Sequence, residues 1–292
     1  MFSLFFIYNM GCCETKQNKN IIKINNDIKD LVNSQSSLSF SITKEAYIPG
    51  YDKSLYKSQI ENDKKRKQME KSICKIVGEI KGTGFLCLIK SHNFLFRVLI
   101  TCNHVLNDLK IGNELKLVFD DGKEMKILLD ESRTIYTIGN NENDKYDISI
   151  IELKTNEFDL DDYLTIDDDI YKFDEFNKIY KGKIIYIIHY EKGKNLKYSA
   201  GPIIKIDKNN NIFHCCATEN GSSGAPILNL NNSQVIGIHF GYVQKLNSNI
   251  GKIIKYPIDE FIKKKEKIFI DNIKEKLLSA KDKTPGQLVD LE

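Results

Sequence analysis

The sequence predicts an all-β protein, a barrel or sandwich built in two blocks, and three observations carry that expectation. Short β-branched and aromatic runs recur at regular spacing, turn residues separate them, and an acidic stretch divides them into two sets. Ile73–Gly78, Gly84–Ile89 and Phe94–Ile100 open the first block, and Glu114–Phe119, Glu124–Leu129 and Asp147–Leu153 continue it. The acidic run from Asp159 to Asp169 lacks the glycine and spacing of an EF-hand loop, so it reads as the connection between two barrels. The second block comprises Lys183–Tyr190, Tyr198–Lys205, Asn211–Ala217, Ala225–Leu230, Gln234–Phe240 and Lys252–Tyr256. Asp259 then opens an amphipathic helix with Phe261, Ile262, Phe269, Ile273 and Leu277 on one side, and Pro285-Gly286 ends it.

These elements divide the chain into four parts: an extension over residues 1–71, a first barrel over 72–165, a second over 166–258, and a helix and tail over 259–292. The extension is Lys/Asn/Ser-rich and weakly periodic, with a short helix over Asp27–Val32 and a solvated charge run at Asp63–Lys67. Such a segment buries too little apolar surface to fold alone and is expected to be flexible. Within it, Met10-Gly11-Cys12-Cys13-Glu14-Thr15 fits the pattern for N-myristoylation at Gly11, provided translation begins at Met10. Cys12 and Cys13 are then candidates for palmitoylation, and two lipid signals hold a protein on a membrane where one gives only marginal binding. Lys16, Lys19 and Lys23 would add attraction to an anionic leaflet, which makes anchoring at the cytoplasmic face the expected localisation.

Composition narrows the function classes. Forty-three Lys and Arg against 40 Asp and Glu leave a net charge of +3, interspersed along the chain, which gives no basis for nucleic-acid binding. The seven cysteines are odd in number and contain no Cys-x-x-Cys pair, so neither a disulfide framework nor a structural zinc site is expected. Cys74, Cys87 and Cys102 sit among apolar neighbours as buried free thiols do, and a reducing, cytoplasmic compartment fits them. The opening Met1–Tyr8 lacks a basic leader, and no later run reaches the ~20 apolar residues of a membrane span.

Three separated segments carry chemistry. Leu99–Leu106 holds His104, Tyr146–Leu153 holds Asp147, and Gly221-Ser222-Ser223-Gly224-Ala225-Pro226 holds Ser223 in a glycine-rich turn. A serine hydroxyl is a poor nucleophile unless a base takes its proton; His104 is that candidate base, and Asp147 would fix its tautomer. The backbone N–H groups of Gly221 and Ser223 are candidates for binding a developing oxyanion, and Gly224 permits the tight turn that follows. An α/β-hydrolase needs the order Ser, acid, His, but the only histidine after Ser223 is His239 and no carboxylate lies between them. Cys74, Cys87, Cys215 and Cys216 lie in no recognisable nucleophile context. The His, Asp, Ser order is the chymotrypsin-type one.

At these motifs the chain resembles trypsin-like, chymotrypsin-fold serine proteases. Thr101-Cys102-Asn103-His104 is similar to the family's Thr-Ala-Ala-His, Asp147–Leu153 to Asp-Ile-Ala-Leu-Ile-x-Leu, and Gly221–Pro226 to Gly-Asp-Ser-Gly-Gly-Pro. The resemblance spans about Ser72 to Lys265 and implies two antiparallel six-stranded barrels with a C-terminal helix. It also implies a His104–Asp147–Ser223 triad in the cleft, with no metal and no organic cofactor. Ser222 stands where the family commonly has Asp, so no trypsin-type zymogen switch is expected. Downstream, Thr218–Pro226 and Val235–Gly241 resemble the V8-like glutamyl endopeptidase branch, where a Gly-x-His-x-Gly histidine reads the P1 side chain. By that resemblance His239 is the specificity residue, Thr218 a second donor, and Gly241 a part of the substrate-binding strand Gly237–Gly241. The V8 type also uses its mature N-terminal amine, which the long extension here would prevent, so Glu, Gln or a looser preference stays open. The expected function is a serine endopeptidase acting on a peptide or protein substrate. The alternative is a catalytically silent protease-like domain serving as a membrane-tethered peptide-binding module.

Overall fold

The computed structural model describes residues 67, 69–91, 94–106, 111–139, 146–159, 162–172 and 175–281. The acylation candidates Gly11, Cys12 and Cys13, the expected extension up to Arg66, and Pro285-Gly286 lie outside these residues.

The first block is a sheet of strands β1 (Ile73–Val77), β2 (Gly82–Ser91), β3 (Phe94–Thr101), β4 (Glu114–Phe119), β5 (Glu124–Leu128), β6 (Ile135–Ile138), β7 (Ile148–Glu152) and β8 (Leu164–Thr165). The order is β5-β4-β1-β2-β3-β7-β6, antiparallel throughout, and β8 joins β2 in parallel. Ile73, Ile76, Phe85, Leu86, Leu99, Ile100 and Ile150 are fully buried, drawn from both faces of the sheet, and each such side chain contributes about 1.5–3 kcal/mol by leaving water. Cys74, Cys87 and Cys102 are buried free thiols, as their apolar neighbours predict.

The pairing of β3 with β7 matters most for the site. Thr101 at the end of β3 lies opposite Ser149 near the start of β7. The residues just beyond one end and just before the other, His104 and Asp147, are therefore neighbours although 43 positions apart in sequence.

The second block is a closed six-stranded barrel in the order β10-β11-β14-β13-β12-β9. Its strands are β9 (Ile184–Glu191), β10 (Asn195–Ile206), β11 (Asn211–His214), β12 (Pro226–Asn229), β13 (Val235–Val243) and β14 (Ser248–Ile253). Two short helices, α1 (Asp169–Lys172) and α2 (Phe176–Tyr180), join the blocks. The acidic connection is anchored in the fold: Asp167 is buried, accepts from Asn229 Nδ2 at 2.8 Å and from the Asp169 N–H at 3.0 Å.

Three expectations need correction. The last strand is Ser248–Ile253, not Lys252–Tyr256. It pairs with both β11 and β13, so all six residues are buried, and its polar members Ser248, Asn249 and Lys252 hid it from an apolar pattern. The helix α3 consequently starts at Lys255 and runs to Lys281, with Pro257 in the first turn, where no N–H is required of it. The apolar row on α3 is also only half used. Phe261 is buried edge-on against Phe96 (5.8 Å) and Lys265 reaches Glu152 (2.7 Å), which docks the helix on the first sheet, whereas Phe269, Ile273 and Leu277 are exposed.

Candidate active site

His104 sits in the single 3₁₀ turn Asn103–Leu106 that follows β3. Its backbone N–H donates to Asp147 Oδ1 at 2.9 Å, and its ring Nδ1 bonds Asp147 Oδ2. Both carboxylate oxygens are thus spent on one residue, and the ring is fixed with Nδ1 as donor and Nε2 as the open acceptor nitrogen. A further link holds the segments together, from the Asn103 N–H to the Asp147 carbonyl at 3.3 Å. Both side chains remain partly exposed, at 38% for His104 and 26% for Asp147.

The turn holding Ser223 precedes β12. Gly221 and Gly224 both have φ near +91°, a conformation that side chains with Cβ rarely adopt. A Cβ on Gly224 would lie 2.0 Å from the Thr83 carbonyl and 2.5 Å from Thr101 Oγ1, and one on Gly221 would lie 2.6 Å from the Tyr190 carbonyl. Glycine here allows the turn to press directly against the first sheet, within three residues of His104.

The N–H groups of this turn alternate in use. Ser222 N–H donates to the Glu219 carbonyl (3.0 Å) and Gly224 N–H to the His239 carbonyl (2.8 Å). Among the described residues, the N–H groups of Gly221 and Ser223 have no acceptor. The Ser223 hydroxyl donates to the Phe240 carbonyl at 3.4 Å and not to the His104 ring.

Thr83 on β2 fastens this turn to the first sheet. Its N–H donates to the Ser223 carbonyl (2.9 Å), its hydroxyl donates to the Gly221 carbonyl (2.7 Å), and the same oxygen accepts from the Tyr190 N–H (3.1 Å). The Thr83 carbonyl accepts from Thr101 Oγ1 at 2.8 Å. Sequence reasoning missed Thr83, because its partners lie 18 to 140 positions away and it falls just before the expected run Gly84–Ile89.

His239 lies on β13 and is buried; its Nδ1 faces Nε2 of the fully buried His214 at 3.3 Å. Burial holds His239 well below the ordinary histidine value, with the His214, His189 and His104 rings acting in the same direction. Burial likewise pushes His214 down to about 3. Both rings are neutral at neutral pH. The Thr218 hydroxyl donates to Asn249 Oδ1 (2.8 Å), whose amide in turn donates to the Cys216 carbonyl (2.7 Å), so Thr218 offers lone pairs, not a proton, to anything else. His214 was not legible as a site residue; in Asn211–Cys216 it looks like one more strand position.

Gly241 sits beyond a register shift in the β13–β14 pairing, with open space where a Cβ would be. The expected substrate-pairing edge Gly237–Gly241 is displaced: Val235 to Ile238 are already paired with β12. The unpaired edge of β13 begins at Phe240, because β12 ends where Pro226 meets Ile238.

Cys102, His104 and Asp147 place their ligand atoms within 4.8 Å of one another. The set is a poor metal site. Cys102 Sγ donates to the His239 carbonyl at 3.4 Å, burial and then the nearby Asp147 charge keep the thiol protonated, and His104 and Asp147 are bonded to each other.

The trypsin-like peptidase domain family matches residues 82–238, more than half of the chain, and the chain belongs to this family. In fold it is similar to a serine endoprotease from Yersinia pestis, with a TM-score of 0.50, 12% identity, and coverage of 69% of this chain and 66% of that one. It is also similar to a Glu endopeptidase in complex with MPD, with a TM-score of 0.50, 19% identity, and coverage of 66% of this chain and 89% of that one. No curated protein matches the chain by sequence. The protein is a trypsin-like serine protease in fold, with a closed six-stranded barrel in its second half and an open, eight-stranded sheet in its first.

Proposed function

We propose that this protein is a serine endopeptidase that cleaves peptide bonds through an acyl-enzyme, with Ser223 as nucleophile, His104 as base and Asp147 as its orienting carboxylate. The observation that carries the reading is the double use of Asp147. By accepting from both the backbone and the ring of His104 it fixes the ring in place and makes Nε2 the lone-pair nitrogen of the neutral imidazole. The Ser223 hydroxyl leaves the Phe240 carbonyl, gives its proton to Nε2, and its oxygen attacks the substrate carbonyl carbon. The negative charge that moves onto the carbonyl oxygen is received by the two unengaged N–H groups of Gly221 and Ser223. Nε2 then protonates the departing amine, and a water molecule repeats the sequence to release the acid and restore Ser223. The Ser223 hydroxyl here bonds the Phe240 carbonyl rather than the His104 ring, and catalytic hydrogen bonds commonly tighten only in the substrate complex.

The histidine pair supports a P1 preference for Glu or Gln. Among the described residues His214 Nδ1 is buried with no partner, and an orphaned acceptor is better tolerated than an orphaned N–H. His214 therefore carries its proton on Nε2 and donates to His239 Nδ1, which leaves His239 with an Nε2–H for substrate. A neutral donor of this kind accepts an amide or carboxylate oxygen that an apolar pocket would reject.

The test is cleavage of a mixed peptide library by the purified protein, with Ser223→Ala as the matched control. Cuts present in the wild type, absent in the variant, and following Glu or Gln are expected. Cuts that survive Ser223→Ala overturn the mechanism, and absence of cuts from folded protein favours the silent peptide-binding module.

A further inference from the structure

The proposed reaction needs the Gly221 and Ser223 N–H groups aimed at one point, and the structure shows what aims them. Among the described residues no peptide bond is cis, and in a trans peptide the C=O and the following N–H point in opposite directions. The Asn220 carbonyl accepts from the Lys192 N–H at 2.6 Å, so the Gly221 N–H is turned away from that strand end. The Ser222 carbonyl accepts from the Ala225 N–H at 3.0 Å, so the Ser223 N–H is turned away from the turn's own interior. Each donor's direction is thus set by the hydrogen bond of the carbonyl before it.

Beneath this turn lies a buried pair that the reaction does not use. Ser222, fully buried, accepts from the Glu219 N–H at 3.0 Å and bonds His189 Nδ1 at 2.8 Å. His189 is 4% exposed and sits on β9, one residue before Tyr190 and three before Lys192. The Ser222 hydroxyl has one proton and, among the described residues, one acceptor to give it to, which makes His189 Nδ1 that acceptor and the ring neutral. Burial favours the same state and holds His189 at about 4, the Glu219 charge opposing and the Lys197 charge adding to it. Glu219 is itself paired with Lys192 at 2.8 Å, so every residue from Glu219 to Ser222 is tied to the end of β9 or to Thr83.

We propose that His189 is a positioning residue for acyl transfer, which acts through Ser222 to hold the Glu219–Ser223 turn with its two free N–H groups facing outward. Ser222 stands where Asp is common in this family, and a neutral Ser–His pair does here what needs no new N-terminus and no buried charge. This rests on the reaction proposed above.

The experiment compares His189→Leu, Ser222→Ala and His189→Asn with the wild type by steady-state peptide hydrolysis and by the 15N–1H resonances of Gly221 and Ser223. Leu and Ala remove the bond, whereas the Asn carbonyl oxygen accepts where Nδ1 did. Expected is a fall in kcat of about 10²–10³-fold for His189→Leu and Ser222→Ala, the size seen when one oxyanion donor is lost. KM should stay within about threefold, and His189→Asn should recover at least about tenfold of the loss, because the turn's geometry and not the binding cleft is perturbed. The Gly221 and Ser223 resonances should move in the first two variants and not in the third. Should His189→Leu fail to fold, Ser222→Ala carries the comparison. Wild-type kcat in folded Ser222→Ala, or unmoved resonances, overturns the proposal. Turnover that does not depend on Ser223 overturns the reaction instead, and the resonances then decide the positioning role by themselves.

Discussion

Lowering the pH from 7 to 5 should destabilise this protein by about 4 kcal/mol, through two buried histidines and before carboxylates begin to titrate. His189 is pushed from 6.5 down to about 4 and His214 from 6.5 down to about 3, both chiefly by burial. Each binds a proton more readily unfolded than folded, so stability is intact above the unfolded value and is lost as pH falls below it, the loss levelling off only below the folded value. At pH 5 the unfolded rings are almost fully protonated and the folded ones almost fully neutral. With one pKa unit equal to about 1.4 kcal/mol, each ring then costs roughly 2 kcal/mol relative to pH 7. That is a large share of the ~5–15 kcal/mol by which domains are held folded. His239, buried beside His214, adds in the same direction. Urea unfolding followed by circular dichroism at half-unit steps from pH 7 to pH 5 measures this directly. A midpoint that does not move over that interval refutes the reasoning, since it would mean that the rings are hydrated or charged in the folded state.

Two further outcomes follow from the site. Asp147→Asn should lower kcat/KM by about 10³–10⁴-fold while leaving the unfolding midpoint nearly unchanged: the amide oxygen still accepts from the His104 N–H, but its NH₂ group forces the ring proton onto Nε2. Peptide hydrolysis alongside urea unfolding checks both halves. Gly224→Ala should cost at least ~3 kcal/mol of stability, from strain at φ +91° together with a Cβ 2.0 Å from the Thr83 carbonyl, and the shift in urea midpoint measures it.

The parts of this site that were legible in the sequence are those whose signal is local. His104, Asp147 and Ser223 each lie in a contiguous run that couples a strand end to a turn, and the fold brings those ends together through β3–β7 pairing and the turn before β12. The parts that were not legible depend on register. His189 reads as one of eight positions in an apolar strand until β9 is laid beside the turn 33 residues later. Strand β14 was misplaced for a related reason. Lys252 is fully buried in it, with Nζ 3.0 Å from the Asn209 carbonyl, 2.6 Å from Asn211 Oδ1 and 4.5 Å from the centre of the Tyr146 ring. A lysine so completely partnered behaves as core, and composition gives no warning of it. Strands β6 and β8 went unseen because each is at most four residues long and is stabilised by its neighbours rather than by its own pattern.

Thr83 explains why the two halves must act as one unit. The histidine and the aspartate belong to the first sheet, the serine and its free N–H groups to the second barrel, and the proposed chemistry requires them to keep a fixed separation. Packing between two β units fixes position only as well as their side chains interlock. A hydrogen bond fixes it at about 3 Å and in direction. Thr83 uses its N–H, its hydroxyl in both senses and its carbonyl, reaching Ser223, Gly221, Tyr190 and Thr101. Thr101 is three residues from His104, so a path of two hydrogen bonds and a short turn runs from the proposed base to the proposed nucleophile. All of it is buried or partly buried, where water does not compete and an unmade bond leaves an orphaned backbone group. Small displacements of one half against the other are therefore opposed by several bonds at once. The precision that the proposed acyl transfer demands resides in this junction more than in either half alone.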